Sequence, residues 1–63
     1  MPFLLVKVMQ GRSPEKIEAL IAALTETTAR TLDAPVETIR VLVEEVPKTH
    51  WGIGGKSAKA LGR

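Results

Sequence analysis

The sequence of 63 residues predicts an α/β (α+β) fold: a single β-α-β unit with parallel strands, followed by a short C-terminal hairpin. Three observations predict it: an apolar run of strand formers near the N-terminus, a long segment with helical periodicity, and a second strand-like run after it. Two strands joined by a helix are typical of a parallel pair with a right-handed crossover. We expect one domain, over residues 1–63.

The first strand is predicted over Phe3–Met9, where the sequence reads FLLVKVM with Lys7 as the only charge. Because almost every side chain is apolar, both faces of this strand are expected to be covered. The glycine in the following segment, Gln10-Gly11-Arg12, indicates a turn.

The helix is predicted to begin at Pro14 and to end at Leu32. Ser13 is a favourable N-cap, and proline is favoured at the first helical position. Thr25 is expected to lie away from the packed face. That face follows the helical period: Ile17, Leu20, Ile21 and Leu24, extended by Thr28 and Leu32.

Asp33-Ala34-Pro35 ends the helix, because proline cannot continue the hydrogen-bond ladder. We expect Asp33 to cap a short turn over Pro35–Thr38.

The second strand is predicted over Ile39–Val46. Strand alternation places Arg40, Leu42 and Glu44 on one face, and Ile39, Val41 and Val43 on the other. The glycine-rich segment His50–Gly55 predicts the turn of a hairpin. The tail, Lys56–Arg63, is expected to form a frayed helix or an arm.

Composition excludes several kinds of site. The chain has no cysteine and a single histidine, His50, so disulfides are not available and a zinc site is implausible; no metal and no cofactor are expected. A net charge of +2 suits a small anionic ligand. Nucleic-acid binding through Lys56, Lys59 and Arg63 has no recognition motif to support it.

No apolar run approaches the roughly 20 residues of a membrane span, and the N-terminal segment is a poor signal peptide. We therefore expect a cytoplasmic protein without a membrane partner. Hydrophobic residues make up 44% of this short chain. A chain of this size buries only about 60% of its surface, so self-association into a homo-oligomer is expected.

The pair Met1-Pro2 suggests a catalytic N-terminus. If Met1 is trimmed, Pro2 carries a secondary amine that can accept a proton, and an apolar pocket or a nearby cation would lower the pKa of that amine below the usual value of about 8. The alternative is that Met-Pro is an ordinary translation start.

Arg40 is a second candidate, because the starts of two parallel strands lie at the same edge of a sheet and Pro2 stands at the other start. Arg40 either extends to solvent at an edge of the sheet or pairs with a glutamate. Alternatively, it is a cation beside Pro2 that binds an anion and lowers the pKa of the amine.

Arg12 and Trp51 lie at the opposite end of the strands and cannot reach Pro2 of the same chain. If either belongs to the site, a neighbouring subunit must supply it. Otherwise Arg12 is a solvated turn residue and Trp51 an apolar contact between subunits.

These residues together resemble the 4-oxalocrotonate tautomerase family over essentially the whole chain. The segments that carry the resemblance are Met1-Pro2, Gly11-Arg12-Ser13, Leu32-Asp33-Ala34-Pro35, Arg40, and His50-Trp51-Gly52-Ile53-Gly54-Gly55.

The resemblance implies a homohexamer, a trimer of dimers, whose active sites are shared between subunits. It implies a cofactor-independent tautomerase in which Pro2 is the base and moves a proton within an unsaturated 2-hydroxy or 2-keto acid through a dienolate. Arg12 then matches the arginine that binds the distant carboxylate and draws electron density toward it. Arg40 matches the arginine that contacts the 2-hydroxy or keto group and the adjacent carboxylate, and Trp51 stands where phenylalanine excludes water. The alternative is a non-enzymatic oligomer that binds anions.

Overall fold

The computed structural model describes residues 1–63. Short 3₁₀ turns at Val36–Thr38 and Lys48–His50 flank the second strand. The main elements, in chain order, are β1 (Phe3–Met9), α1 (Pro14–Leu32), β2 (Arg40–Val46), β3 (Gly52–Ile53) and β4 (Lys56–Ser57). The predicted β-α-β unit with a C-terminal hairpin is therefore confirmed, and the bounds of β1 and α1 agree with the prediction.

The two long strands form a parallel pair, in which Phe3 lies opposite Arg40 and Met9 lies opposite Val46. Burial alternates along β1, because successive side chains point to opposite faces of the sheet. Leu4 is on the half-buried face, towards α1, whereas Phe3 and Leu5 are 63% and 50% exposed.

The start of α1 is built as the sequence predicts. Ser13 has extended backbone angles, and its side-chain oxygen accepts a hydrogen bond from the backbone N–H of Lys16 at 3.3 Å. This bond satisfies one of the N–H groups that the first helical turn leaves unpaired.

At the other end of α1, the expected N-capping by Asp33 is wrong. Asp33 is the C-cap of α1 in the left-handed conformation (φ 54°), and its backbone N–H bonds to the Ala29 carbonyl. Pro35 precedes the 3₁₀ turn without any side-chain cap. A left-handed C-cap satisfies the last carbonyls of the helix, and aspartate tolerates that conformation.

The second strand starts one residue later than predicted, at Arg40. The backbone N–H of Ile39 bonds to the Val36 carbonyl at 3.1 Å and closes the 3₁₀ turn, so it is not available to the sheet. Ile39 is nevertheless one of the best-buried side chains, at 7% exposure.

Two positions of α1 differ from the predicted pattern. Leu32 is 60% exposed, because it belongs to the last turn, at the edge of the sheet. Thr25 is half-buried, and its hydroxyl donates to the Ile21 carbonyl at 2.8 Å. That bond satisfies the hydroxyl, which allows threonine to join the packed side of a helix.

The hairpin after β2 is confirmed. Gly54 and Gly55 form its turn with φ of 59° and 90°, as two-residue turns of the primed type require. The tail is neither the frayed helix nor the arm that were expected, because Lys56 and Ser57 belong to β4. The last residues form a hydrogen-bonded turn, closed from the Arg63 N–H to the Ala58 carbonyl.

The protomer does not enclose a core of its own. Only 2 of 63 residues are buried, Ile39 and Ala58. The side of the sheet away from α1, which we call the open face, consists of exposed residues. They are Phe3, Leu5, Lys7, Arg40, Leu42 and Glu44, in three directly opposed pairs.

The only ion pair on the open face joins Lys7 to Glu44 at 3.5 Å, and both side chains are about half exposed. Such a pair contributes little to stability. The apolar members of the face therefore remain its main feature. No helix combines the length and the apolar character that crossing a membrane requires.

Candidate active site

Pro2 is held at the edge of the sheet where both long strands begin. Its carbonyl accepts a hydrogen bond from the backbone N–H of Arg40 at 3.0 Å, so the pairing of β1 with β2 extends to Pro2. Pro2 is half-buried, whereas Met1 is 86% exposed. The ring is thus fixed while the residue before it lies in solvent.

A cleft of about 440 Å³ opens beside Pro2, between the start of β1 and the last turns of α1. No charged side chain lines it. The lining residues are Pro2, Phe3, Leu4, Thr27, Thr28, Thr31 and Leu32. Most of these lining residues are exposed in the protomer, and the threonine hydroxyls are the only polar side-chain groups among them.

The backbone of Arg40 is hydrogen-bonded to Pro2 across the strand pair. The guanidinium of Arg40 is not among the groups that line the cleft. Its Nη1 donates to the Glu37 carbonyl at 2.9 Å. Arg40 is paired with Phe3 and lies with it on the open face, although Phe3 also borders the cleft.

Arg12 follows the other end of β1. Its Nη1 donates to the Met9 carbonyl at 2.9 Å, and the residue is exposed. The 7 residues of β1, followed by Gln10 and Gly11, separate it from Pro2. At about 3.3 Å per residue the strand alone spans roughly 23 Å, which is more than an arginine side chain covers.

Trp51 lies beyond the carboxyl end of β2, immediately before the hairpin. It is half-buried, and its carbonyl accepts a hydrogen bond from Ala58 at 2.7 Å. Trp51 and Arg12 therefore follow the same ends of the two parallel strands, and Pro2 and Arg40 stand at the opposite ends.

The threonines of the cleft were not predicted as site residues. Thr28 was assigned to the packed face of α1, and Thr27 and Thr31 were not singled out. The β-α-β topology predicted from the sequence could have identified them. A helix that joins two parallel strands returns the chain to the edge where the first strand began, so its last turns must lie near Pro2.

A second cleft lies on α1 and includes Val36, but none of the predicted site residues. The ion pair between Glu26 and Arg30, at 3.9 Å, borders it. No group of three or more His, Cys, Asp or Glu side chains is placed to hold a metal ion.

The sequence is similar to known proteins over almost its whole length. Residues 2–61 match the family model described as Tautomerase enzyme. A 2-hydroxymuconate tautomerase from Stutzerimonas stutzeri is 49% identical over 63 residues, with 100% of both chains covered.

Solved structures of similar chains have the same fold. One of the 4-oxalocrotonate tautomerase isozymes from Methylibium petroleiphilum has a TM-score of 0.93 at 45% identity, covering 98% of this chain and 100% of that one. A heterohexamer 4-oxalocrotonate tautomerase from Chloroflexus aurantiacus has a TM-score of 0.92 at 38% identity, covering 97% and 98%.

Proposed function

This chain belongs to the tautomerase family and is a tautomerase, and we propose that it moves a proton within unsaturated 2-hydroxy or 2-keto acids such as 2-hydroxymuconate. The resemblance predicted from the sequence is confirmed by the family match over residues 2–61. The substrate class is supported by the Stutzerimonas stutzeri relative, which is a 2-hydroxymuconate tautomerase.

Pro2 is the proposed general base, after removal of Met1. The observation that carries this proposal is the position of Pro2 in the wall of the uncharged cleft, while Met1 is exposed and accessible to a peptidase. The neutral secondary amine takes a proton from the hydroxyl of the dienol. The dienolate that remains takes the proton back at a carbon further along the conjugated chain, and no cofactor is needed.

Arg12 and Arg40 are the proposed anion-binding groups. Guanidinium groups form strong, paired hydrogen bonds with carboxylates, and each bond to a charged group contributes about 1.5–3 kcal/mol. A cation near the developing dienolate also stabilises its negative charge, which is the larger effect on the rate.

Trp51 is proposed to contact the substrate and to exclude water from the amine. The indole ring is large and mainly apolar, so it lowers the local dielectric constant. Its N–H is a donor that phenylalanine lacks, so the choice of substrate need not equal that of relatives with phenylalanine.

The proposed active unit is an oligomer, a homohexamer built as a trimer of dimers with shared sites. The exposed apolar residues of the open face and the near absence of buried residues support association. The separation of Arg12 from Pro2 supports sharing, since one chain cannot bring the two together. The heterohexamer from Chloroflexus aurantiacus supports the size.

Two measurements test the function. The intact mass of the purified protein is expected to lack methionine, and 2-hydroxymuconate is expected to be converted, as followed by ultraviolet absorbance. A protein that carries a one-residue N-terminal extension provides a matched control. Its fold is unchanged, but the nitrogen of Pro2 is an amide and cannot act as a base.

Full activity of the extended protein would refute the role of Pro2. Absence of turnover by the trimmed protein, together with binding of the dicarboxylate, would support the anion-binding alternative instead.

A further inference from the structure

The segment that joins β1 to α1 is fixed at both of its ends. The backbone N–H of Gln10 donates to the Val46 carbonyl at 2.9 Å and continues the pairing of the strands. Ser13 caps α1 at the other end. Only Gly11 and Arg12 lie between these anchors, and their backbone groups form no backbone hydrogen bond. The conformation of Gly11 therefore sets the direction in which the chain enters Arg12.

Gly11 has a φ of 128°, which residues with a side chain rarely adopt. A Cβ atom built at this position would meet no atom within 4 Å. The space around Gly11 therefore does not require glycine, but its backbone conformation does. A side chain at this position would act on the path of the chain and not on the packing.

The guanidinium of Arg12 is held by one hydrogen bond. Its Nη1 donates to the Met9 carbonyl at 2.9 Å, and the group forms no ion pair within its own chain. A guanidinium has five N–H donors, so those that Met9 does not use are available to an anion. The bond to Met9 thus orients the cation and leaves it free to bind.

Arg40 is held in the same way without a glycine. Its Nη1 donates to the carbonyl of Glu37, three residues earlier, at 2.9 Å. The chain between them consists of the 3₁₀ turn and the extended Ile39, whose φ is −93°. Both arginines are therefore oriented by the carbonyl three residues before them, but only Arg12 is preceded by a residue with positive φ.

We propose that Gly11 is a positioning residue for Arg12: its positive φ brings the guanidinium onto the Met9 carbonyl, and that orientation selects substrates with a second carboxylate. The proposal rests on the anion-binding function of Arg12 described above. A guanidinium that is already oriented binds a carboxylate more strongly than a mobile one, because less conformational entropy is lost on binding. Gly11 acts through Arg12 and not by contact with the substrate.

The expected signature is a loss that depends on the number of carboxylates in the substrate. Gly11→Ala relieves its strain by leaving the positive φ, which moves the guanidinium of Arg12 away from Met9. For 2-hydroxymuconate, which has two carboxylates, kcat/KM is expected to fall about 5- to 50-fold, less than in Arg12→Ala because the charge is retained. For 2-hydroxypentadienoate, which has one carboxylate, the change is expected to be less than about 2-fold.

The test compares the two kcat/KM values as a ratio within each preparation, because such a ratio does not depend on the fraction of assembled protein. The matched control is the same chain made by chemical synthesis with D-alanine in place of Gly11. A D-residue favours positive φ, so this protein is expected to keep the wild-type ratio.

Two further variants complete the test. Gly62→Ala controls for strain in general, because Gly62 also has a positive φ and free space around it, and the wild-type ratio is expected. Gly11→Asn replaces Gly11→Ala if the alanine variant does not assemble. Asparagine tolerates positive φ better than alanine, so a smaller fall of the ratio is then expected.

Three results would overturn the proposal. They are a wild-type ratio in Gly11→Ala, an equal fall of kcat/KM for both substrates, which would indicate a structural role alone, and an equal fall of the ratio in the L-alanine and D-alanine proteins. Arg12→Ala separates these results from failure of the proposed function. If Arg12→Ala lowers the ratio and Gly11→Ala does not, only the assignment of Gly11 fails. If neither lowers it, Arg12 does not bind the second carboxylate and both proposals fail.

Discussion

The two ends of the long strands differ in what they offer to a substrate. The amino rim, where β1 and β2 begin, contains Pro2, the backbone of Arg40 and an uncharged cleft. The carboxyl rim, where the strands end, is followed by Arg12 and Trp51. The amino rim thus contains the proposed base without a cation in its cleft, and the carboxyl rim contains a cation and an aromatic ring.

This difference supports the proposal that one protomer does not form a complete site. Pro2 and Arg12 are separated by the full length of β1, and the side chains of Arg12 and Arg40 bond only to carbonyls of their own chain. A complete site forms if the amino rim of one subunit meets the carboxyl rim of another. The open face, which the protomer leaves uncovered, is available for that association.

The largest expected effect is at the amino rim. Pro2→Ala is expected to lower kcat about 10²- to 10⁴-fold, the usual contribution of a general acid–base group. Steady-state kinetics on 2-hydroxymuconate, with the intact mass verifying that Met1 is absent, provides the measurement. A variant with the wild-type rate would show that the secondary amine of proline is not required, and the extended protein then tests whether a free terminal amine is required at all.

The second-largest effect is expected for a change that prevents association of subunits through the open face. Leu42→Glu places a charge in the middle of the open face, where Leu42 is 48% exposed in the protomer. Since burying an unpaired charge is costly, the oligomer is expected to dissociate and the activity to fall on the order of 10-fold or more. Light scattering measures the size. Ala23→Glu, at an exposed position of α1, is the control, and an intact oligomer of Leu42→Glu would contradict a role of this face.

Arg12→Ala tests whether the carboxyl rim acts in another subunit's site. We expect kcat/KM to fall about 10- to 100-fold, as the loss of a charged hydrogen bond predicts. Mixing this variant with Pro2→Ala and allowing subunit exchange should restore roughly one quarter of the sites, if each site takes the two residues from different chains. No recovery, with exchange verified by mass spectrometry, would exclude a shared site.

The smallest effect is expected for Trp51→Phe, which keeps an aromatic ring at the carboxyl rim. The rate is expected to change only about 2- to 5-fold, since both rings exclude water and only the indole N–H is lost. Trp51→Ala, by comparison, admits water and should cost more than Trp51→Phe. Equal rates for both variants would show that Trp51 lies outside the site.

Local signals predicted most of the backbone. The cap at Ser13 and the proline after it predicted the start of α1, Pro35 predicted its end, and the glycines of the hairpin predicted its turn. The errors are at junctions. Asp33 and Ile39 were assigned by residue type and alternation, but their places depend on which hydrogen bonds the chain closes around Pro35, and these bonds require the fold.

The site was predicted less completely than the backbone. Pro2, Arg12, Arg40 and Trp51 were selected as candidates from the sequence, and their roles remain proposals. The threonines of the cleft, Thr27, Thr28 and Thr31, were not predicted, because helical periodicity assigns a residue to a face, and only the crossover places the end of α1 near Pro2.

The sequence by itself determined the order and the bounds of the main elements, since capping, proline and periodicity act over a few neighbouring residues. Only the tertiary structure decided that Thr27 and Thr31 lie beside Pro2. The physical reason is the crossover, which returns the end of the helix to the start of the first strand. The separation of Arg12 from Pro2, by contrast, follows from the length of the strand alone.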